Sequence, residues 1–191
     1  MPPFLFVEIQ IVHSKNATLK LQMLNNSCYN KQRTFRKERF LMAKHFGKKT
    51  EYNGYMWDSL KERDFYQRFC EQYDKPDSEF KVLVHPSYPI IDKFKIGSGL
   101  VVRSARYTPD VVITDRQGNL LHIYDVKNSF GVYGVDAACK LRFKLFTKRY
   151  SIPVECVVVR KNDFKVKVFG TTKKTKEKVF KDIEYNWRES C

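Results

Sequence analysis

The chain first settles into a helical rhythm at Tyr66, Phe69, Cys70 and Tyr73, which recur at i, i+3, i+4 and i+7 and make one apolar face. Ser59 is a good N-cap for this stretch and the Lys75-Pro-Asp turn ends it, so the pattern predicts a helix over about 59–73. Phe80–Val84 and Tyr88–Ile96 read as strands interrupted by Pro86 and Pro89, which lack a ladder donor and point to an edge position. Gly97-Ser-Gly is a loop. Val111–Thr114 and Leu120–Val126 flank Asp115-Arg-Gln-Gly-Asn, a Gly/Asn turn of the kind that closes an antiparallel hairpin. After Gly131 and Gly134 the pattern predicts a helix over about 135–150, stopped before Pro153, with Ala137, Leu141 and Leu145 as the ridge facing the sheet. Val154–Val159 is apolar save Glu155 and reads as a buried strand, and the intervening helix makes its pairing with the hairpin parallel. Phe164–Phe169 adds a strand, and the Lys-rich stretch from Thr171 predicts a last helix with Val179, Phe180 and Ile183 inward.

The first 41 residues carry a strand-like run, Phe4–Val12, followed by the polar, basic stretch Asn25–Arg39 without sustained periodicity. They read as a basic N-terminal arm, disordered or an upstream extension. The second alternative arises because Met42-Ala-Lys-His-Phe-Gly-Lys-Lys-Thr-Glu-Tyr-Asn-Gly-Tyr looks like a natural start. The expectation is therefore a single α/β (α+β) domain over 42–170, a mixed sheet flanked by helices, with 171–191 as a basic C-terminal tail or helix.

Charge changes this picture from a fold to a partner. With 36 Lys plus Arg against 21 Asp plus Glu, the formal charge is +15, which points to a polyanion and first to nucleic acid. The excess is not uniform: residues 1–57 carry +7 and 140–191 carry +9, whereas 58–139 carry −1. A near-neutral centre between basic flanks suits an acidic site that holds a cation while phosphates are gripped around it. Five scattered cysteines, with no C-x-x-C pair, read as reduced thiols and imply no structural zinc. No stretch approaches the roughly 18 uninterrupted apolar residues of a membrane span, and Glu8 and Gln10 interrupt the N-terminal run where a signal peptide is apolar, so the expected location is intracellular, with no membrane partner.

The candidate chemistry lies on the hairpin. Asp110 precedes its first strand, and Asp125 and Lys127 sit two apart at the end of the second, on one face. In an antiparallel hairpin the start of one strand lies beside the end of the other, so Asp110 and Asp125 are expected to share a Mg²⁺, with Mn²⁺ as a substitute. Carboxylates around a cation beside a lysine are what phosphodiester hydrolysis at neutral pH requires. Glu62 has two readings. In Ser59-x-x-Glu62 it completes a capping box, or, lying on the apolar stripe where an unpaired charge is costly, it joins the metal. Lys140, Lys144 and Lys148, one turn apart, form a basic ridge that can track a phosphate backbone. The basic clusters Lys31–Arg39 and Lys173–Lys181 add non-specific affinity. His85 and His122 read as structural.

Pro109-Asp110, fourteen residues, then Asp125-Val126-Lys127 resembles the signature of the PD-(D/E)XK nuclease superfamily. Lys48-Lys-Thr-Glu-Tyr-Asn-Gly, Trp57-Asp-Ser-Leu-Lys-Glu62 and Tyr107-Thr-Pro-Asp110 are similar to a group of small phage-encoded members taken to be Holliday-junction-resolvase-like endonucleases. The resemblance covers roughly 45–160. It implies a restriction-endonuclease-like mixed sheet, a metal site of Glu62, Asp110 and Asp125 with Lys127 as a catalytic partner, and a DNA-facing role for the lysine ridge, nearest the site at Lys140 and Lys144. It also implies Mg²⁺-dependent cleavage of branched DNA by a homodimer, since junctions present two scissile strands. Transposon-end or restriction-type cleavage of DNA is the alternative within the same chemistry. A non-catalytic basic nucleic-acid-binding protein is the alternative outside it.

Overall fold

A computed structural model describes residues 49–191. The expectations for the N-terminal arm, including the cluster Lys31–Arg39, lie outside the described residues. The organising element is the expected hairpin, β8 (Val111–Asp115) and β9 (Leu120–Val126). Its turn is locked locally: the Asp115 carboxylate accepts from the Asn119 backbone at 2.7 Å and from the Asn119 side chain at 2.6 Å. Gly118 supplies the positive φ of 89° that the reversal requires. The strands pair antiparallel with Val111 opposite Tyr124, Val112 opposite Ile123 and Ile113 opposite His122, followed by a bulge at Thr114.

Around this hairpin grows a six-stranded sheet. It also contains β3 (Phe80–Val84), β10 (Glu155–Val159), β11 (Phe164–Val168) and β12 (Lys178–Phe180), in the order β12-β11-β10-β9-β8-β3. β10 runs parallel to β9, and the remaining neighbours are antiparallel. The parallel pair is joined through the helix α2 (Ala137–Tyr150), as the alternation of patterns predicts. β3 lies at the sheet edge, where the neighbouring prolines place it.

Both faces of the central strands are covered, so successive residues serve two cores. Val111, Ile113, Tyr124 and Val126 face one cluster with Trp57, Phe65, Tyr66, Phe69 and Phe164. Val112 and Ile123 face the other, with Tyr107, Phe143, Phe146 and Cys156. Each fully buried large apolar side chain contributes about 1.5–3 kcal/mol, so the two clusters together hold the hairpin from both sides.

The first core is closed by the small hairpin β1 (Thr50–Tyr52) and β2 (Tyr55–Trp57) and by the helix α1 (Leu60–Phe65). Ser59 caps α1 as expected, its hydroxyl accepting the Glu62 N–H. The helix continues to Tyr73, but through a π-helical turn at Tyr66–Cys70, in which the Glu71 N–H reaches back to the Tyr66 carbonyl, and a 3-10 turn at Glu71–Tyr73. The wider turn lets the adjacent pairs Phe65–Tyr66 and Phe69–Cys70 both point inward; all four are buried.

Three expectations about the elements are corrected. Tyr88–Ile96 is two strands, not one. β4 (Tyr88–Ile91) pairs with β7 (Ala105–Tyr107), while β5 (Phe94–Ile96) pairs with β6 (Leu100–Val102) around Gly97. On α2 the buried residues are Phe143 and Phe146, and Leu141 is 58% exposed. The helix is rotated to seat the two phenyl rings against Tyr107 and Tyr88, where aromatic area outweighs leucine placement.

The third correction concerns the C-terminal stretch. Residues 178–180 form a strand on the free edge of β11 and Trp187–Ser190 a 3-10 turn, in place of the expected helix. Thr171, Thr172, Thr175 and Val179 weaken helix formation, and the unpaired edge of β11 offers the same backbone a ladder. Of the expected inward residues, Ile183 is buried, Phe180 stacks on Tyr185 and Val179 is exposed. Cys70, Cys139, Cys156 and Cys191 are free thiols. No helix among the described residues is long and apolar enough to cross a membrane.

Candidate metal centre

The register Val111 to Tyr124 sets Asp110 opposite Asp125 at the open end of the hairpin. Asp110 is fastened there from three directions. Its N–H donates to the Tyr124 carbonyl at 3.0 Å, its carbonyl accepts the His85 N–H at 3.1 Å, and its Oδ2 accepts the Val126 N–H at 2.6 Å. Burial raises its carboxyl well above the ordinary value of 3.8, and the neighbouring Asp125 and Glu62 push it further than Lys127 and the Val126 bond pull it back.

Asp125, 5% exposed, accepts a 2.7 Å hydrogen bond from the Tyr107 hydroxyl at Oδ2 and is ion-paired at Oδ1 with Lys127. Burial, with Asp125 next to it, holds the Tyr107 hydroxyl well above its usual pKa, so it remains a donor. Lys127 is positioned by its own backbone, whose N–H donates to the Val157 carbonyl at 2.7 Å and extends the parallel ladder by one residue. Burial works against its charge, but Asp125 and Asp110 outweigh that and raise its pKa, so the ammonium is kept protonated.

Glu62 reaches the same mouth from the first turn of α1, where it joins the Ser59 cap and also lies beside Asp110. It is buried, its Oε1 accepts from the Ser59 hydroxyl at 2.7 Å, and its Oε2 accepts from the Asp58 N–H at 3.2 Å. The cap contact to the Ser59 hydroxyl replaces the expected one to the Ser59 N–H. The capping interaction fixes a carboxylate whose Oε2 also lies 3.4 Å from Nε2 of His85. Donor atoms of Glu62, His85 and Asp110 all lie within 4.8 Å of one another. Of the three expected ligands, then, Glu62 and Asp110 meet directly with His85 as the third member. Asp125 stands at the hairpin mouth, turned toward Tyr107 and Lys127.

His85, for which the sequence indicates a structural place, lies in this cluster. The signal that locates it is the antiparallel pairing of β3 with β8, which sets Val84 opposite Val111 and therefore His85 beside Asp110. Sequence alone does not give that register. His122 is structural, as expected: its ring nitrogens lie 2.7 Å from the Glu155 carboxylate and 2.8 Å from the Tyr185 carbonyl.

Three carboxylates converge here with one ammonium. Nε2 of His85 and Oδ1 of Asp125 are buried with no hydrogen-bond partner, although the latter has its ion pair to Lys127. A divalent cation fits this donor set of hard oxygens and one imidazole, and it would offset the buried negative charge.

The lysine ridge lies on α2. Lys140 places its ammonium 5.6 Å from the centre of the Phe169 ring, with Lys167 on the same ring at 5.7 Å. The Lys144 stem lies over Gly170, where an added Cβ would come within 2.8 Å of Lys144 Cγ. Lys148 is exposed. None of the three makes an ion pair with another described residue. The residues that follow Lys127, namely Asn128, Ser129, Phe130 and Gly131, line a groove of about 420 Å³ with Lys165 and Lys167. The sequence reading missed those two lysines, although the alternation along β11 turns both outward.

Across residues 42–166 the chain matches the model of a family described as "Protein of unknown function (DUF1064)". No curated protein and no solved structure matches it.

Proposed function

The chain belongs to the DUF1064 family, and for this member we propose a metal-dependent endonuclease that hydrolyses phosphodiester bonds in DNA, with branched DNA such as Holliday junctions as the substrate. The observation that carries this reading is the meeting of Glu62, His85 and Asp110 within 4.8 Å, next to the Asp125–Lys127 pair at the hairpin mouth. Structural acids at strand ends have no need to converge, and burying them together without a cation is unfavourable.

Glu62 and Asp110 would hold the cation, Mg²⁺ or Mn²⁺, with Asp125 completing the site. When bound, the cation offsets charge developing on the phosphate and lowers the pKa of water. Lys127, paired with Asp125 at the hairpin mouth, would donate hydrogen bonds to the attacking water or to a phosphate oxygen. Tyr107 holds the Asp125 carboxylate by one oxygen and so fixes where the other can reach. Lys140, Lys144 and Lys148, with Lys167 on the same Phe169 ring as Lys140, would supply phosphate contacts, while Lys165 is ion-paired with Glu177. Branched DNA and a homodimer enter through the resemblance of Lys48–Gly54, Trp57–Glu62 and Tyr107–Asp110 to junction-cleaving endonucleases.

The test is a panel of four-way junctions, flaps and linear duplex incubated with Mg²⁺. Wild type is expected to cut the junction in preference, and Asp110→Asn and Lys127→Ala to lose cleavage while retaining binding. Sequence-specific cutting of linear duplex with indifference to junctions would refute the junction substrate. Absence of cleavage on every DNA, or undiminished cutting by both variants, would refute the enzyme and favour a non-catalytic binder.

A further inference from the structure

We propose that His85 ligates the cation directly through Nε2, which makes this a mixed nitrogen and oxygen site that selects Mn²⁺ over Mg²⁺. The proposal rests on the metal site put forward above. It adds a ligand that the sequence reading dismissed and a choice of metal that a site built from carboxylates alone would not make.

The two described histidines provide an internal contrast. His122 has both ring nitrogens engaged, at 2.7 and 2.8 Å, which is how a buried structural imidazole is satisfied. His85 instead presents a buried Nε2 with no hydrogen-bond partner, 3.4 Å from Glu62 Oε2 and in the same cluster as the Asp110 carboxylate. The ring is held by an edge-on contact with Trp57, with centroids 5.7 Å apart at 65°. The side chain is 24% exposed, yet Nε2 itself is buried and faces the carboxylates.

The backbone leads to the same conclusion. His85 has φ of 49°, a left-handed conformation that is uncommon for a residue other than glycine, and it precedes Pro86, where extended backbone is favoured. The conformation is held by the hydrogen bond from the His85 N–H to the Asp110 carbonyl. It turns the chain out of β3 and lays the ring against Glu62. Non-glycine residues in this region persist where the surroundings over-determine them, and here the surroundings are the candidate ligands themselves.

Ligand chemistry then sets the metal. Mg²⁺ favours an octahedron of oxygens and gains little from an imidazole, whereas first-row transition ions gain from nitrogen donors. Of the two ions expected at this site, the imidazole favours Mn²⁺.

The experiment uses the full chain, stripped with EDTA. Calorimetry with MnCl₂ and with MgCl₂ is run on wild type and His85→Asn, chosen because Asn tolerates left-handed backbone and the His85 N–H bond to Asp110 is made by the main chain. Circular dichroism confirms that the variant is folded. The expected result is tighter Mn²⁺ than Mg²⁺ binding by wild type, and a loss of at least about tenfold in Mn²⁺ affinity in the variant, with a smaller loss for Mg²⁺. Electron spin-echo modulation of bound Mn²⁺ is expected to show a directly coordinated ¹⁴N in wild type that is absent from the variant. Mn²⁺ bound without nitrogen coupling, or with unchanged affinity in the variant, would overturn His85 as a ligand and leave the endonuclease reading standing. Nitrogen coupling with no cleavage of any DNA would do the reverse. Failure of wild type to bind either ion would overturn both.

Discussion

Replacing Asp110 by Asn is expected to stabilise the metal-free protein while removing its activity. The donor atoms of Asp110 and Glu62 lie within 4.8 Å. Two unit charges at that distance repel by about 3 kcal/mol at an effective dielectric near 20. Asp125 adds to this, and partial proton uptake by Asp110 relieves some of it. Asparagine can set its amide oxygen where Asp110 Oδ2 accepts the Val126 N–H, loses the charge, and places an amide donor among carboxylates. The expected gain in EDTA is therefore about 1–3 kcal/mol.

The sign with pH follows from the raised folded-state pKa of Asp110. Below its ordinary value of 3.8 the group is protonated whether the chain is folded or not, and the wild type bears no penalty. As pH rises above that value, the unfolded chain releases the proton while the folded chain retains it, so the wild type loses stability until the folded pKa is passed. The advantage of Asp110→Asn should grow with pH from about 4 upward. Saturating cation reverses the order: at one hundred times its Kd it adds about 2.7 kcal/mol to wild type and less to the variant. Urea denaturation at several pH values, in EDTA and in Mn²⁺, measures all of this. An Asn variant less stable than wild type in EDTA, or equal metal stabilisation of both, would refute the claim that these carboxylates converge for a cation.

Two further outcomes test the surfaces away from the cluster. Lys140→Gln with Lys144→Gln should weaken binding to every DNA alike and flatten the slope of log affinity against log salt by about 1.8, measured by fluorescence anisotropy from low to physiological salt; an unchanged slope would remove the ridge from the interface. His122→Ala leaves the Glu155 carboxylate buried with only the Tyr185 hydroxyl, 2.9 Å away, and should cost about 3–5 kcal/mol in urea denaturation. A loss below about 1 kcal/mol would show that the pair is not a stabilising contact.

Local signals carried much of the structure. Ser59, the Asp115–Asn119 turn, the stop before Pro153 and the apolar run at Val154 each act within a few residues, and each produces the element expected of it. The hairpin register follows from the turn, so Asp110 facing Asp125 was readable in advance. Failures arose where a distant partner decided. Residues 178–180 become a strand because β11 has a free edge, and α2 turns to seat Phe143 and Phe146 because Tyr107 and Tyr88 wait beneath it. The place of His85 beside Asp110 was hidden for the same reason, since it depends on β3 pairing with β8, a contact between chain segments 27 residues apart at Val84 and Val111. Glu62 shows the limit of a motif with two meanings: the cap and the cluster use the same carboxylate, and only the coordinates show that it serves both.

The three-way fastening of Asp110, to Tyr124, His85 and Val126, has a consequence for how errors in this protein are expressed. Because one residue stitches β3, β8 and β9 together, no version of the sheet with a strand slipped by a single position retains the cluster: alternation would send Asp125 and Lys127 to the opposite face. Deletion of one residue inside either strand of the hairpin should silence the site even if the chain remains compact. Under the proposed function, activity reports on sheet alignment, and a misaligned copy is inert rather than indiscriminate.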